Sequence, residues 1–153
     1  MGTDNSSTHL RSGHLRSKKE HFIIMAHLDI TQFQRIVFFT GAGMSAESGI
    51  PTYRGKGGVW AQYDYKNYAC QDAFERDPEA VWEFHNRRRE MIGACAPNRG
   101  HDLIAACERL RSKVTVVTQN IDGLHQRAGS KTVIELHGSL WRVRDEETGE
   151  PAP

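Results

Sequence analysis

The sequence predicts an α/β protein with a Rossmann-like parallel sheet, and three observations support this fold class. Three short, mostly apolar runs, at residues 36–40, 114–117 and 132–136, have the pattern of buried strands. Strands that are buried on both faces are typical of parallel sheets. Each run also ends in a polar or glycine-containing motif, as expected where the carboxyl ends of strands line a ligand crevice.

The first strand, at residues 36–40, leads into Gly41-Ala42-Gly43 and then into small and polar residues that can open a helix. This order suits a pyrophosphate, because glycines let the backbone approach closely and the helix start offers free N–H groups. It departs from the dinucleotide fingerprint at Ala46, where glycine is expected, and lacks the acidic residue about twenty residues further on. A general Rossmann dehydrogenase is therefore disfavoured.

The segment between the first two strands contains one predicted loop and two predicted helices. Residues 56–68 are rich in Gly, Tyr and Lys and are expected to form a mobile loop. A helix is expected from Pro78 to about residue 94, because Asp77 is a favourable N-cap and proline a favourable first residue. Asn98 can cap the next helix.

The first of these helices carries two polar side chains on its apolar stripe. Val81, His85, Arg88 and Ile92 recur at spacings of four, three and four residues, which places them on one face. Polar groups on such a face are costly unless they have partners or line a cavity. The alternative is that Arg88 is one of three consecutive arginines and extends its head group to solvent.

Three motifs, Gly41–Gly43, Gln119–Asp122 and His137, follow the three strands and are expected to converge at one edge of the sheet. His137 is a candidate general base, because imidazole titrates near neutrality. The alternative is a histidine that only bonds a backbone carbonyl. Asn120 and Asp122 could equally make a turn and cap a helix.

Three segments together resemble the sirtuins, the NAD-dependent protein lysine deacylases. They are GAGMSAESGIPTYRG from Gly41, Gln119-Asn120-Ile121-Asp122 with Gly123-Leu124-His125, and Glu135-Leu136-His137-Gly138-Ser139. They occur in the family's order, and the resemblance extends from about Gln34 to Arg144. It implies that residues 25–153 are part of a sirtuin-type domain, with NAD as cofactor and acyl-lysine proteins as substrates.

The resemblance also implies a role for each site residue. His137 would draw a proton from the nicotinamide-side ribose, the acyl-lysine oxygen would displace nicotinamide, and the products would be free lysine, nicotinamide and O-acyl-ADP-ribose. Asn120 would act beside His137, and Asn120 and Asp122 would position the ribose and the nicotinamide carboxamide. His101 and His125 match family positions but are expected to be structural. The residues implied to bind the cofactor are Gly41, Ala42, Gly43, Glu47, Thr52, Tyr53, Arg54, Trp60, Gln119, Asn120, Ile121 and Asp122.

The sirtuin branch that removes succinyl, malonyl or glutaryl groups carries a Tyr-x-x-Arg pair in its acyl pocket. Arg88 matches the arginine, while His85 replaces the tyrosine. The resemblance therefore implies a preference for acidic acyl groups, with the Arg88 guanidinium binding the distal carboxylate through two hydrogen bonds. His85 could donate a further hydrogen bond, and would add charge if it were protonated.

The small zinc-binding module of the sirtuins is expected to be degenerate or missing. Sirtuins usually carry Cys-x-x-Cys shortly after the His-Gly-Ser motif, and here Asp145 and Thr148 occupy the two cysteine positions. Structural zinc sites are dominated by thiolate and imidazole ligands. We therefore expect no metal site and no bound zinc.

Composition disfavours several other classes. The net charge of +1 argues against a dedicated nucleic-acid binder, and no apolar run approaches the roughly 20 residues of a membrane span. The three cysteines have neither zinc-ligand nor disulfide spacing, which indicates free thiols and a cytoplasmic protein. Residues 1–24 are polar and aperiodic, so we expect a disordered leader or a mis-assigned start, with Met25 as the natural first residue.

Two alternatives to deacylation stay open at this point. The same site could transfer ADP-ribose or hydrolyse NAD, and nicotinamide would then be released without O-acyl-ADP-ribose. The chain could also be a truncated module that binds NAD or a partner without turnover, because the sirtuin domain extends well beyond the position of Pro153.

Overall fold

The computed structural model describes residues 29–152. The predicted leader at residues 1–24 and the predicted start at Met25 lie outside this range. The strands are β1 (Ile36–Thr40), β2 (Val114–Thr118) and β3 (Val133–Glu135). The helices are α1 (Tyr65–Tyr68), α2 (Gln71–Arg76), α3 (Pro78–Gly93), α4 (Arg99–Leu110) and α5 (Leu124–Arg127), with 3₁₀ helices at Ile30–Gln32, Ala42–Ser48 and Val59–Ala61.

The three strands form one parallel sheet in the order β1-β2-β3. The register aligns Thr40 with Thr118 and Thr118 with Glu135, so the carboxyl ends of all three strands lie side by side. The prediction of an α/β fold with a parallel sheet is confirmed. The strand bounds differ slightly from the prediction, since β2 continues to Thr118 and β3 is shorter.

One face of the sheet is apolar and exposed. Val37 and Phe39 of β1 are 63% and 64% exposed, and Ile134 and Leu136 at β3 are 52% and 50% exposed. The opposite face is covered, with Val114 and Val116 buried and α4 packed against β2. The prediction that β1 is buried on both faces was wrong. Its composition allows burial on both sides, but the elements within residues 29–152 cover one side only.

Side-chain caps set the starts of the two long helices, as predicted. The Asp77 side chain accepts a hydrogen bond from the Ala80 N–H at 3.0 Å, and α3 begins at the next residue, Pro78. The Asn98 side chain accepts from the Gly100 N–H at 2.9 Å, and the Asn98 N–H donates to His101 Nδ1 at 3.2 Å. Two orphan groups at the start of α4 are thereby satisfied reciprocally.

The prediction of a mobile loop at residues 56–68 was wrong in part, because this segment contains the 3₁₀ helix Val59–Ala61 and helix α1. Its centre is held by aromatic packing: the Trp60 ring centroid lies 5.4 Å from that of Tyr53 and 6.3 Å from that of Tyr65. The helix expected after the glycine turn is likewise a 3₁₀ helix, Ala42–Ser48. Helices α1, α2 and α5 were not predicted, since segments this short show no helical periodicity.

A small core lies beneath the ends of the strands. Ile50, Ile92, Leu124 and Leu140 are buried together and join the loop after Gly49, helix α3, helix α5 and the segment after β3. This core fixes the positions of the loops that carry the site. None of the helices within residues 29–152 is long and apolar enough to cross a membrane.

Candidate active site

The loops that follow β1, β2 and β3 meet in one cleft of about 570 Å³. The Gln119 N–H donates to the Thr40 carbonyl at 3.0 Å, and Asn120 Nδ2 donates to the Gly41 carbonyl at 3.0 Å. His137 contacts the same loop, which confirms that the three motifs converge. The cleft is lined by Ala42, Gly43, Thr52, Tyr53, Arg54, Trp60, Ala69, Gln119, Asn120, Ile121 and His137.

His137 lies at the exposed rim of the cleft with its tautomer fixed. Its Nδ1 lies 3.0 Å from the carbonyl oxygen of Gln119. A carbonyl can only accept, so Nδ1 carries the proton in the neutral ring and Nε2 carries the lone pair. The sequence-based alternative, a histidine bonded to a backbone carbonyl, is therefore present as well, and it leaves Nε2 available as a base.

Asn120 is almost fully buried, and both of its side-chain donors are used within the protein. Nδ2 donates to the Gly41 carbonyl at 3.0 Å and to Ser45 Oγ at 3.1 Å, while the Asn120 N–H donates to Thr118 Oγ1 at 3.0 Å. The carbonyl partner fixes the orientation of the carboxamide. Oδ1 is then the group left to accept a hydrogen bond from a hydroxyl of a ligand in the cleft.

Asp122 is held by contacts within the chain. Its Oδ2 accepts from Ser45 Oγ at 2.7 Å, and its Oδ1 accepts from the Leu124 N–H at 2.9 Å. It lies beside Asn120 and Ile121 in the floor next to the cleft rather than in the cleft lining. Asp122 therefore connects the Ala42–Ser48 helix to the start of α5. The bond from the Leu124 N–H confirms the turn-making alternative stated for Asp122, while the bond from Ser45 was not predicted.

The glycine turn leaves room for a ligand. A Cβ added at Gly41 or Gly43 would meet no heavy atom within 4 Å, so the backbone of the turn faces open space. The cleft volume lies in the range of ligand sites, and its lining combines amides, hydroxyls and the Arg54 guanidinium. These residues fit a dinucleotide. Glu47 is exposed and lies outside the cleft lining, and its contact with the cofactor stays a prediction.

Arg88 is a buried cation without an ionic partner within residues 29–152. It is 7% exposed, its Nη2 donates to the Tyr53 hydroxyl at 3.4 Å, and its Nε has no hydrogen-bond partner. Its guanidinium carbon lies 5.0 Å from the ring centroid of Tyr53. Arg88 lines a cavity of about 460 Å³ together with apolar side chains, and it also lines the cleft floor beside Asn120. The apolar lining includes Val59, Tyr68, Phe84 and Met91.

The His85 side chain is hydrogen-bonded to the backbone of its own helix. Its Nδ1–H donates to the Val81 carbonyl at 2.8 Å, and His85 is not part of the lining of the Arg88 cavity. Burial lowers the pKa of His85, and the charges of Arg89 and Arg88 lower it further, while the Val81 bond opposes them. The neutral ring is therefore favoured at physiological pH. The charged residues that line this cavity are Arg88 and the exposed ion pair of Arg87 with Glu83.

Two histidines form a buried pair behind the strand ends. His101 and His125 are 0% and 1% exposed, with ring centroids 4.8 Å apart, and His125 Nε2 bonds Thr40 Oγ1 at 2.9 Å. Burial lowers the pKa of His125 to about 4, and the proximity of His101 adds to the effect, against the opposing charge of Asp122. Burial also lowers the pKa of His101. Both rings are thus neutral parts of the scaffold, in line with the structural role predicted for them.

The buried pair predicts a loss of stability in acid. An unfolded imidazole binds a proton below about pH 6.5, whereas folded His125 does so only near pH 4. The free energy of unfolding should therefore fall as the pH is lowered through this window, by up to about 3 kcal/mol from His125 alone. Urea unfolding at pH 7 and pH 4.5 measures the change.

The variant His125→Gln separates this effect from other groups. It should flatten the dependence of the unfolding free energy on pH, because glutamine does not titrate in this range. An unaltered pH dependence in His125→Gln would show that another group causes the loss.

Asp145 and Thr148, at the family's cysteine positions, hold a turn. Asp145 Oδ1 accepts from the Thr148 N–H at 2.8 Å, from Thr148 Oγ1 at 3.0 Å and from the Glu147 N–H at 3.0 Å. The bonds from Thr148 lower the pKa of the Asp145 carboxyl. The turn closes a short hairpin in which Arg144 and Pro151 form an antiparallel bridge. No cluster of three or more metal-ligating side chains lies within residues 29–152.

The absence of bound zinc stays a prediction. Protein washed with a chelator is expected to contain no stoichiometric zinc by elemental analysis, because the Asp145 carboxylate is already used by its own turn and Thr148 is a poor ligand. Stoichiometric zinc after washing would contradict this prediction.

The fold is an α/β fold of the Rossmann-like class, with a parallel sheet and a glycine turn that faces a cleft. An amide and an imidazole at the strand ends complete an arrangement that is typical of nucleotide-binding proteins of this class. Residues 41–152 match the sequence model of a known protein family, described as the Sir2 family. The chain belongs to this family, which confirms the resemblance to the sirtuins.

The curated relatives agree with this assignment. A protein of Aquifex aeolicus (strain VF5) named NAD-dependent protein deacylase is 51% identical over 114 residues, which cover 74% of this chain and 48% of the relative. A protein of Danio rerio named NAD-dependent protein deacylase sirtuin-5, mitochondrial, is 47% identical over 143 residues, which cover 91% of this chain and 44% of the relative. The chain spans about half the length of the curated relatives it matches.

Solved structures share the fold and show ligands of the expected kind. A Sir2 homologue in complex with NAD is 46% identical, with a TM-score of 0.71, and the match covers 78% of this chain and 46% of that one. A mutant Sir2 homologue in complex with ADP-ribose is 45% identical with a TM-score of 0.75, and the match covers 78% of this chain and 48% of that one. The NAD and ADP-ribose in these structures are bound to those homologues.

Proposed function

We propose that the protein is an NAD-dependent protein lysine deacylase that prefers acyl groups ending in a carboxylate. The observation that carries the activity is His137, an imidazole at the rim of the cleft with its proton fixed on Nδ1 by the Gln119 carbonyl. Membership of the Sir2 family and the names of the relatives support the reaction type.

The cleft residues hold NAD in this proposal. The backbone of Gly41–Gly43 and the guanidinium of Arg54 face the pyrophosphate, and Asn120 Oδ1 accepts a hydrogen bond from a ribose hydroxyl. When bound, NAD supplies the bond between ribose and nicotinamide whose cleavage makes the sugar carbon electrophilic. Tyr53 and Trp60, whose rings pack against each other at an angle, exclude water from one side of the cleft.

His137 acts as the general base. Its Nδ1–H stays anchored to Gln119, so Nε2 is oriented toward the ligand and accepts a proton from a hydroxyl within hydrogen-bond reach. The exposed position of His137 lets the protonated ring return its proton to solvent afterwards. Asn120 fixes the position of the hydroxyl-bearing sugar.

Arg88 selects the acyl group. A buried guanidinium is costly without an anionic partner, and none lies within residues 29–152. A carboxylate at the end of a short acyl chain would satisfy the unpaired Nε and pair with the positive charge, while Val59, Phe84 and Met91 contact its methylene groups. Arg88 lines both this cavity and a small space of about 10 Å³ beside Asn120, which places its side chain between the cavity and the reaction site.

The proposal extends to partners and location. Substrates are acyl-lysine side chains of other proteins, and a net charge of +1 gives no reason to add a nucleic acid or a membrane surface. Cys70, Cys95 and Cys107 are free thiols, which suits a reducing compartment such as the cytoplasm.

Matched peptides test the proposal in the full-length protein. Two peptides of one sequence, carrying acetyl-lysine or succinyl-lysine, are incubated with NAD, and nicotinamide and O-acyl-ADP-ribose are measured by mass spectrometry. Deacylation predicts both products in equal amounts, with faster turnover of the succinyl peptide. Nicotinamide without O-acyl-ADP-ribose would instead identify ADP-ribosyl transfer or NAD hydrolysis, and no nicotinamide would identify a binding module.

A further inference from the structure

The segment after β3 holds the loop after β2 through a series of hydrogen bonds. His137 Nδ1 donates to the Gln119 carbonyl at 3.0 Å, and the Leu140 N–H donates to the Ile121 carbonyl at 3.0 Å. The indole Nε1 of Trp141 donates to the Asp122 carbonyl at 2.7 Å. Three of the four carbonyl groups of residues 119–122 are thus bound by residues 137–141.

The Trp141 indole contacts the loop after β2 at Gly123. Gly123 has φ of +73°, and a Cβ added there would lie 3.0 Å from Trp141 Nε1 and 3.1 Å from Cδ1. The indole therefore occupies the place that a side chain at residue 123 would need. Glycine is required here both by the left-handed backbone and by this close approach.

The exposure of Trp141 shows that burial is not its main contribution. As a residue Trp141 is 44% exposed, whereas the neighbouring Leu140 is 3% exposed and belongs to the core. The polar tip of the indole, in contrast, makes a short hydrogen bond to the backbone of a loop that carries Asn120 and Asp122. The side chain acts on the site loop rather than on the core.

We propose that Trp141 is a positioning residue of the nucleotide site. Its indole N–H fixes the Asp122 carbonyl, and the rigid turn at Gly123 then holds Asn120 in the orientation that leaves Oδ1 facing the cleft. This inference rests on the proposed function, because it assigns the loop to NAD. Ser45 anchors the same loop from the opposite side through its bonds with Asn120 and Asp122.

The test compares two tryptophan variants in the full-length protein. Trp141→Phe removes the N–H and keeps an aromatic ring, while Trp82→Phe is the control at a similarly exposed tryptophan, 42% exposed on α3. The first readout is the Kd for NAD by calorimetry. The second is the hydrogen exchange of the Asn120 and Leu124 amides, which bond Thr118 Oγ1 and Asp122 Oδ1.

The expected result is a Kd for NAD raised about 3- to 10-fold in Trp141→Phe, as for the loss of one hydrogen bond, with faster exchange of both amides. Trp82→Phe should change neither. If Trp141→Phe fails to fold, 3-benzothienylalanine at position 141, an isostere that lacks only the N–H, repeats the comparison.

A purely structural role predicts a different pattern, a lower melting temperature with an unchanged Kd for NAD and unchanged exchange of the loop amides. That pattern overturns the inference. If the unmutated protein binds NAD but forms no O-acyl-ADP-ribose, the deacylase proposal fails, and the comparison of Kd values still decides the role of Trp141.

Discussion

Replacing His137 by alanine is expected to lower the rate of O-acyl-ADP-ribose formation by roughly 10²- to 10⁴-fold, the usual contribution of a positioned general base. The variant loses Nε2 as proton acceptor, while the cleft around it keeps its lining. The rate is measured with saturating NAD and acyl peptide in the full-length protein, so that a change in affinity does not contribute. Binding of NAD should persist, because the glycine turn and Asn120 remain.

His137→Asn is the matched control for this prediction. The asparagine amide can still donate a hydrogen bond to the Gln119 carbonyl but cannot take up a proton at neutral pH. Both variants should therefore be slow, although His137→Asn retains the anchor. A rate close to that of the unmutated protein in His137→Asn would refute the role of His137 as a base and leave it a structural one.

Replacing Arg88 by methionine is expected to reduce the preference for succinyl over acetyl peptides by roughly 10- to 100-fold, the worth of hydrogen bonds between a buried cation and a carboxylate. Methionine keeps an unbranched side chain of moderate length, so the cavity beside Phe84 stays filled. Because Arg88 has no ionic partner within residues 29–152, its removal should not lower the free energy of unfolding. The measurement is the ratio of kcat/KM for the two peptides.

Arg87→Met is the comparison variant, because Arg87 lies next in sequence and also lines the cavity, but is 68% exposed in an ion pair with Glu83. It removes the same charge from the same helix, and the acyl preference should stay as in the unmutated protein. Equal ratios in Arg88→Met and in the unmutated protein would exclude Arg88 from acyl recognition. An equal loss in both variants would attribute the preference to the charge of the helix as a whole.

The sequence was informative where local physical chemistry decides the structure. Apolar runs that end in polar motifs predicted the parallel sheet and the convergence of Gly41–Gly43, Gln119–Asp122 and His137. The caps Asp77 and Asn98 predicted the starts of α3 and α4, because a side chain that satisfies orphan N–H groups acts within one turn.

The remaining contacts of the site depend on tertiary structure, and no pattern in the sequence indicated them. Ser45 and Asp122 are 77 residues apart, and Trp141 reaches a carbonyl 19 residues before it. His85 shares a helix stripe with Arg88, but its imidazole bonds the carbonyl of its own helix four residues earlier, a local alternative that periodicity does not reveal.

The exposed side of the sheet links the stability of this region to association. Covering the remaining exposed area of Val37, Phe39, Ile134 and Leu136 would contribute on the order of 5 kcal/mol, as much as the whole stability of a marginal domain. Strand formation and the docking of a covering element are therefore thermodynamically coupled, and anything that binds only the folded strands raises the melting temperature by mass action. A thermal midpoint measured on this protein reports how completely that face is covered more than it reports the strength of the sheet itself.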